Sequence, residues 1–261
     1  MLGQNRGQVT IFIIIAVLIV GVALLIFFLR PGAQVSTAFD EQNPSAFLQT
    51  CLEEEITNAI ETVSLQGGDL EPEHFIAYQD SNIQYLCYTD ENYAPCVVQQ
   101  VLLKDHIEDE IREEIQPEVT NCFNELRENY VERNYNVDLQ TGSTNVELLP
   151  KRVVSSFDYI LTVTRGDTER YDSFNVVLDN NLYELVSIAN SIVEWEATYG
   201  DVETSTYMTY YRDLKVEKKN QNDGSTIYIL TDRNNGNKFQ FASRSVVWPP
   251  GYGADGIANF N

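Results

Sequence analysis

Four cysteines carry the clearest chemistry in this chain: Cys51, Cys87, Cys96 and Cys122. An even count in a segment that reads as exported points to two disulfides. Four cysteines allow three pairings. Cys51 lies near the start of one expected helix and Cys122 near the end of a second. Antiparallel packing of those helices brings the two together. Cys87 and Cys96 flank a short polar loop. The expected bridges are therefore Cys51–Cys122 and Cys87–Cys96, with reduced core cysteines as the alternative. Zinc fits less well, because no close C-x-x-C pair exists. No metal and no cofactor is assigned.

Beyond the cysteines, catalytic chemistry is sparse. The two histidines, His74 and His106, have no signature partner. The run Asp105-His106-Ile107-Glu108-Asp109-Glu110 is not H-E-x-x-H. Together with Arg112, Glu113 and Glu114 it reads as a solvated helix face with i,i+4 pairs such as Glu108–Arg112. No G-x-S-x-G, phosphate loop or dinucleotide fingerprint is present. Asp232-Arg233-Asn234-Asn235-Gly236 has the wrong spacing for an EF-hand and suits a turn between strands. Arg165-Gly166-Asp167 reads as a hairpin connection. An acidic chain has carboxylates to spare for glycoside hydrolysis, but nothing singles out which two. The expectation is a protein without enzymatic activity.

The aromatic residues say more. Among 15 tyrosines, Tyr207, Tyr210 and Tyr211 fall on one short segment, and Trp248 lies in a tail rich in proline and glycine. Tyrosine joins apolar area to a polar tip and suits exposed contact faces. These four residues form a candidate contact patch for envelope proteins or glycans, with core and rim packing as the alternative. Charge excludes one class of partner. With 39 acidic against 17 basic residues, a net charge of −22 repels phosphate backbones, so nucleic-acid binding is not expected.

Residues 9–29, VTIFIIIAVLIVGVALLIFFL, hold no charge. As a helix this stretch reaches about 31 Å, enough to cross a hydrocarbon core. It predicts a single span, with the lipid bilayer as its partner. The short leader predicts a cytoplasmic N-terminus, with the head outside the cell membrane. The stretch Arg6-Gly7-Gln8, followed by this long apolar run, resembles the class III signal of archaeal type IV pilin-like proteins. The opening RGQVTIFIIIAVLIVG also resembles the start of many uncharacterised single-pass surface proteins of archaea. The resemblance implies a cut between Gly7 and Gln8 that leaves the apolar helix on the mature protein. An uncleaved signal anchor is the alternative. Phe12 stands where many pilins place Glu, which weighs against filament assembly.

The remaining chain must position these groups. Arg30-Pro31-Gly32 ends the span. From Ser45, read as an N-cap, apolar residues recur at three- and four-residue steps to Val63, and Gly67-Gly68 stops that helix. Residues 74–78 and 83–88 read as a hairpin. A second helix is expected from Val97, broken or kinked at Pro117 and resuming to Leu126. Residues 146–149, 152–164 and 169–178 have β-like composition. Leu182 to Val193 mark a helix that ends at Gly200, and Asp201 could cap a short helix through Tyr211. Strands at 214–218, 226–231 and 238–243 follow, with Asp223-Gly224 and Asn235-Gly236 as turn signals.

The expected fold class is α+β: one N-terminal transmembrane helix, then an exported head with amphipathic helices and a largely antiparallel sheet. The expected divisions are a leader at 1–7, the span at 8–30 and a linker at 31–44. A helix–hairpin–helix part at 45–135 holds all four cysteines. A strand-rich part at 136–247 and a tail at 248–261 complete the chain. The functional expectation is a membrane-anchored extracytoplasmic envelope protein with a binding or scaffolding head. A pilin-like filament subunit and a carboxylate-dependent exported hydrolase are the alternatives.

Overall fold

Asn43 caps the first described helix. Its side chain accepts a hydrogen bond from Ala46 N at 3.1 Å, and Pro44 supplies a preset φ at the first helical position. Asn43, not Ser45, is therefore the cap of helix α1 (Pro44–Leu65). The computed structural model describes residues 39–246. Leu48, Leu52, Ile56, Ala59, Ile60 and Val63 form the buried stripe of α1.

The expected membrane span is not found among the described residues. Among the described residues, no helix is long and apolar enough to cross a membrane. The long helices each carry a charged face, as at Glu53-Glu54-Glu55, and bury only one stripe. Among the described residues the fold class is thus α+β with a mostly antiparallel sheet and no helix able to span a membrane. On the same finding the expected single-pass membrane location, with a cytoplasmic N-terminus and an outside head, is not supported by the described residues. Residues 8–30, Gly7 and Gln8, the linker to residue 38, and everything from residue 247 lie outside the described residues.

After Gly67-Gly68, strands β1 (Phe75–Tyr78) and β2 (Ser81–Tyr88) form the expected hairpin. The structure then departs from the expected second helix. Val97–Val98 is a short strand, β3, paired with Cys87 and Tyr88 of β2. The Cys87–Cys96 bridge holds this segment extended beside β2, and Val97, Val101 and Leu102 stay exposed. Helix α2 (Leu103–Glu132) starts only afterwards and runs through Pro117 without ending. Pro117 lies on the exposed side, where water can satisfy the freed Glu113 carbonyl. Ile115 and Val119 remain buried on either side of it.

Next comes a meander of three antiparallel runs, each divided in two: β4 (Asn136–Gln140) with β5 (Thr144–Leu149), β6 (Arg152–Phe157) with β7 (Ile160–Arg165), and β8 (Asp167–Tyr171) with β9 (Phe174–Asp179). Gln140 pairs with Ile160 but Thr144 pairs with Phe157, so an extra residue bulges at the bend. Gly142 is required there, because an added Cβ would overlap the Asp158 carbonyl. The expected single run 152–164 is broken at this point.

Helix α3 (Leu182–Tyr199) closes at Gly200 in the left-handed conformation (φ 81°), and the short α4 (Ser205–Tyr210) buries no residue. Strands β10 (Leu214–Asn220), β11 (Ser225–Asp232) and β12 (Lys238–Arg244) form two hairpins. The larger sheet has the order β1-β2-β12-β11-β10, with β3 also on β2. Only its β2–β12 pairing is parallel. The described residues from Asp40 onward belong to one compact unit.

Candidate functional site

Helix α1 and helix α2 are tied by a bridge between Cys51 and Cys122, with a Cα–Cα distance of 6.0 Å. Cys87 and Cys96 form the second bridge, at 5.3 Å. These are the two pairs drawn from the spacing. They leave no free cysteine among the described residues.

Tyr210 and Tyr211 stand at the end of α4, 80% and 55% exposed. Both line a cleft of about 750 Å³ between α3, β10 and the turn that joins β11 to β12. Leu185, Ile188 and Leu214 are its buried apolar floor. Its polar wall is built around Asn181. The Asn181 amide donates to Asp232 Oδ2 at 2.7 Å, and its oxygen accepts from the side chains of Asn235 and Asn237 at 3.2 and 2.7 Å. Asp232 Oδ1 also accepts from Asn234 N. Opposite, the Glu184 carboxylate accepts from Lys151 N at 3.0 Å. These bonds fix the wall before any ligand arrives. The Asp179 and Asp213 carboxylates, the Lys151 ammonium and the Arg212 guanidinium also line the cleft. Those four groups make no hydrogen bond or ion pair with the described residues. The cleft thus offers aromatic faces together with free donors and free acceptors.

The other two residues of the expected patch behave differently. The Tyr207 hydroxyl lies 2.8 Å from Ser191 Oγ, which braces α4 against α3 outside the cleft lining. Trp248 lies outside the described residues.

A second cleft, of about 940 Å³, opens at the other end of α3. Trp195 and Tyr199 line it with rings 4.6 Å apart, and neither was singled out from the sequence. Beneath them Glu196 is only 3% exposed. Its Oε1 accepts from the Tyr228 hydroxyl at 2.5 Å and from Val202 N at 3.1 Å, and its Oε2 accepts from Ser243 Oγ at 3.1 Å. Burial pushes the Glu196 carboxyl above its ordinary value of 4.5, against the pull of the Tyr228 hydroxyl, Lys218 and Ser243. Burial raises the Tyr228 hydroxyl as well, reinforced by the carboxylate beside it. Among the described residues Glu196 is the one carboxyl raised in this way; Glu203 and Glu217 are lowered by their hydrogen-bond donors. The nearby Asp201 is exposed and ion-paired with Lys218.

No family model, curated protein or solved structure matches this chain. The functional reading therefore rests on the chain's own geometry. The Arg165-Gly166-Asp167 turn is accounted for structurally: Gly166 takes φ 88° between β7 and β8, and the Arg165 guanidinium lies over the Tyr135 ring. The expected Glu108–Arg112 pair does not form. Glu108 takes Lys104 at 2.6 Å, and Arg112 takes Asp109 at 3.0 Å.

Proposed function

We propose that this chain is a binding rather than a catalytic protein, and that the tyrosine cleft holds a neutral carbohydrate. The observation that carries the reading is the pair Tyr210–Tyr211, exposed on a helix that buries nothing, above an apolar floor and beside a fixed polar wall. Sugar rings present apolar C–H faces, which tyrosine rings cover. Their hydroxyls each donate and accept, which suits a wall of amides, carboxylates and cations together. The cleft carries Asp179, Glu184, Asp213 and Asp232 against Lys151 and Arg212, so a polyanion is disfavoured. The two disulfides suit a head that matures in an oxidising compartment.

The hydrolase alternative draws on Glu196, a buried acid at a cleft, but a second acid across that cleft is needed for glycoside hydrolysis. Asp201 is the acid at hand, and Lys218 engages it. The pilin-like alternative and the archaeal resemblance rest on residues outside those described. The carbohydrate reading is tested by binding to a panel of glucose, mannose, galactose and N-acetylglucosamine oligosaccharides. At least one should bind, and the Tyr210→Ala/Tyr211→Ala variant should lose that binding while keeping its near-UV circular dichroism. Failure of the whole panel to bind, or full binding by the variant, overturns it.

A further inference from the structure

Helices α1 and α2 run antiparallel, and one end of the pair is clamped by Cys51–Cys122. At the other end three metal-ligating side chains converge. His106 and Glu110 lie four residues apart in the first turns of α2 and so share a face. Asp69 reaches them from the loop that follows α1. Gly68 makes the approach possible, since a Cβ there would sit 2.9 Å from Leu103 Cδ1 and 3.0 Å from Ile107 Cγ1 of α2.

We propose that Asp69, His106 and Glu110 bind a divalent transition-metal ion, with zinc as the best chemical fit. The three ligand atoms already lie within 4.8 Å of one another. His106 Nε2 is 3.5 Å from Asp69 Oδ2. That is long for an N–H···O hydrogen bond. It is close to the roughly 3.3 Å that separates two ligands each bound about 2.05 Å from a tetrahedral zinc. Each carboxylate is oriented through one oxygen only. Asp69 Oδ1 accepts from Glu71 N at 3.0 Å, and Glu110 Oε2 accepts from Leu70 N at 2.9 Å. Among the described residues, Glu110 Oε1 has no protein donor. Such outer hydrogen bonds hold metal ligands in place before the ion arrives.

The surroundings favour a cation of this type. The side chains of His106 and Asp69 are 27% and 19% exposed, which leaves an entry path for the ion and for water as the remaining ligand. The nearest cation on the same helix turn, Lys104, is engaged by Glu108. One imidazole with two carboxylates suits zinc better than calcium or magnesium, which take oxygen ligands. Bound there, the ion would cross-link the loop after α1 to the start of α2. The helix pair would then be clamped at both ends, by sulfur at one and by metal at the other.

The test uses the full chain with both disulfides intact, stripped with a chelator and titrated calorimetrically with zinc chloride. One ion per chain should bind saturably. His106→Ala and Asp69→Asn should each weaken binding at least about 10-fold. His74→Ala should not, because His74 packs against the rings of Tyr85 and Tyr88. Cobalt substituted at the site should show visible d–d bands that His106→Ala abolishes. His106→Gln serves in place of His106→Ala if the latter does not fold. An absence of saturable uptake, or uptake that neither His106→Ala nor Asp69→Asn weakens, overturns the assignment.

Discussion

Replacing Cys51 and Cys122 by alanine should destabilise the head more than replacing Cys87 and Cys96. The bridges span sequence separations of 71 and 9 residues. On the loop-entropy model the long bridge restricts the unfolded chain by roughly 15 cal/mol/K and the short one by roughly 9. At 25 °C these correspond to about 4.4 and about 2.6 kcal/mol. Cys122, Cys87 and Cys96 are all buried, so truncation adds a packing loss to both variants and the ranking rests on loop length. Urea unfolding followed by near-UV circular dichroism reads the difference. With a slope of about 2–3 kcal/mol/M for a chain of this size, the long-bridge variant should lose about 1.5–2 M in midpoint and the short-bridge variant about 1 M. Equal losses, or a larger loss from the short bridge, would refute the loop-length reasoning. Four free thiols in the unreduced, unfolded protein would refute the bridges themselves.

The Glu196 carboxyl carries a pH dependence of definite sign. Its folded pKa is raised, so near and above 4.5 the unfolded chain gives up this proton before the folded one does. Its contribution to stability is full below 4.5 and falls as pH rises through the raised folded value. The stability difference between the natural chain and Glu196→Gln, taken from urea midpoints between pH 4 and 8, should therefore shift against the natural chain as pH rises; a difference that stays constant would contradict this. Gly142→Ala should cost about 1–3 kcal/mol by forcing the Asp158 carbonyl away from the meander's bend. Gly236→Ala meets open space and should cost only about 1 kcal/mol, for its φ of 81°. Urea midpoints that fail to rank these two variants would contradict the bulge geometry.

Local patterns carried much of this fold. The stripe from Leu48 to Val63 reads directly as α1, Gly200 as the stop of α3, and Asp223-Gly224 and Asn235-Gly236 as the turns of the last two hairpins. Antiparallel helix packing points to Cys51–Cys122, and the short polar loop between Cys87 and Cys96 points to their bridge. Where neighbours far along the chain decide the outcome, the sequence was silent. Val97-Val98 continues an apolar pattern that suits a helix, yet the bridge beside it makes a strand. β4 holds only Val137 and Leu139 as apolar residues, so nothing local marks it. The parallel pairing of β2 with β12 joins segments more than 150 residues apart and has no short-range signal. Glu196 follows Glu194 and looks solvent-facing; only Tyr228 and Ser243, supplied by distant strands, enclose it. In the tyrosine patch, composition pointed to Tyr210 and Tyr211, but the floor and the Asn181 wall come from α3 and the β11–β12 turn. His106 shows no signature partner in the sequence because Asp69 arrives from another element.

The cleft is tested most directly by mapping tyrosine nitration across the full chain with and without each oligosaccharide of the panel. Tyr93, 60% exposed and absent from the cleft lining, is the internal control. At least one sugar should protect Tyr210 and Tyr211 while Tyr93 stays fully reactive. Unchanged nitration of Tyr210 and Tyr211 with every sugar, or protection that falls on Tyr93 alike, would contradict the assignment of this cleft as the binding site.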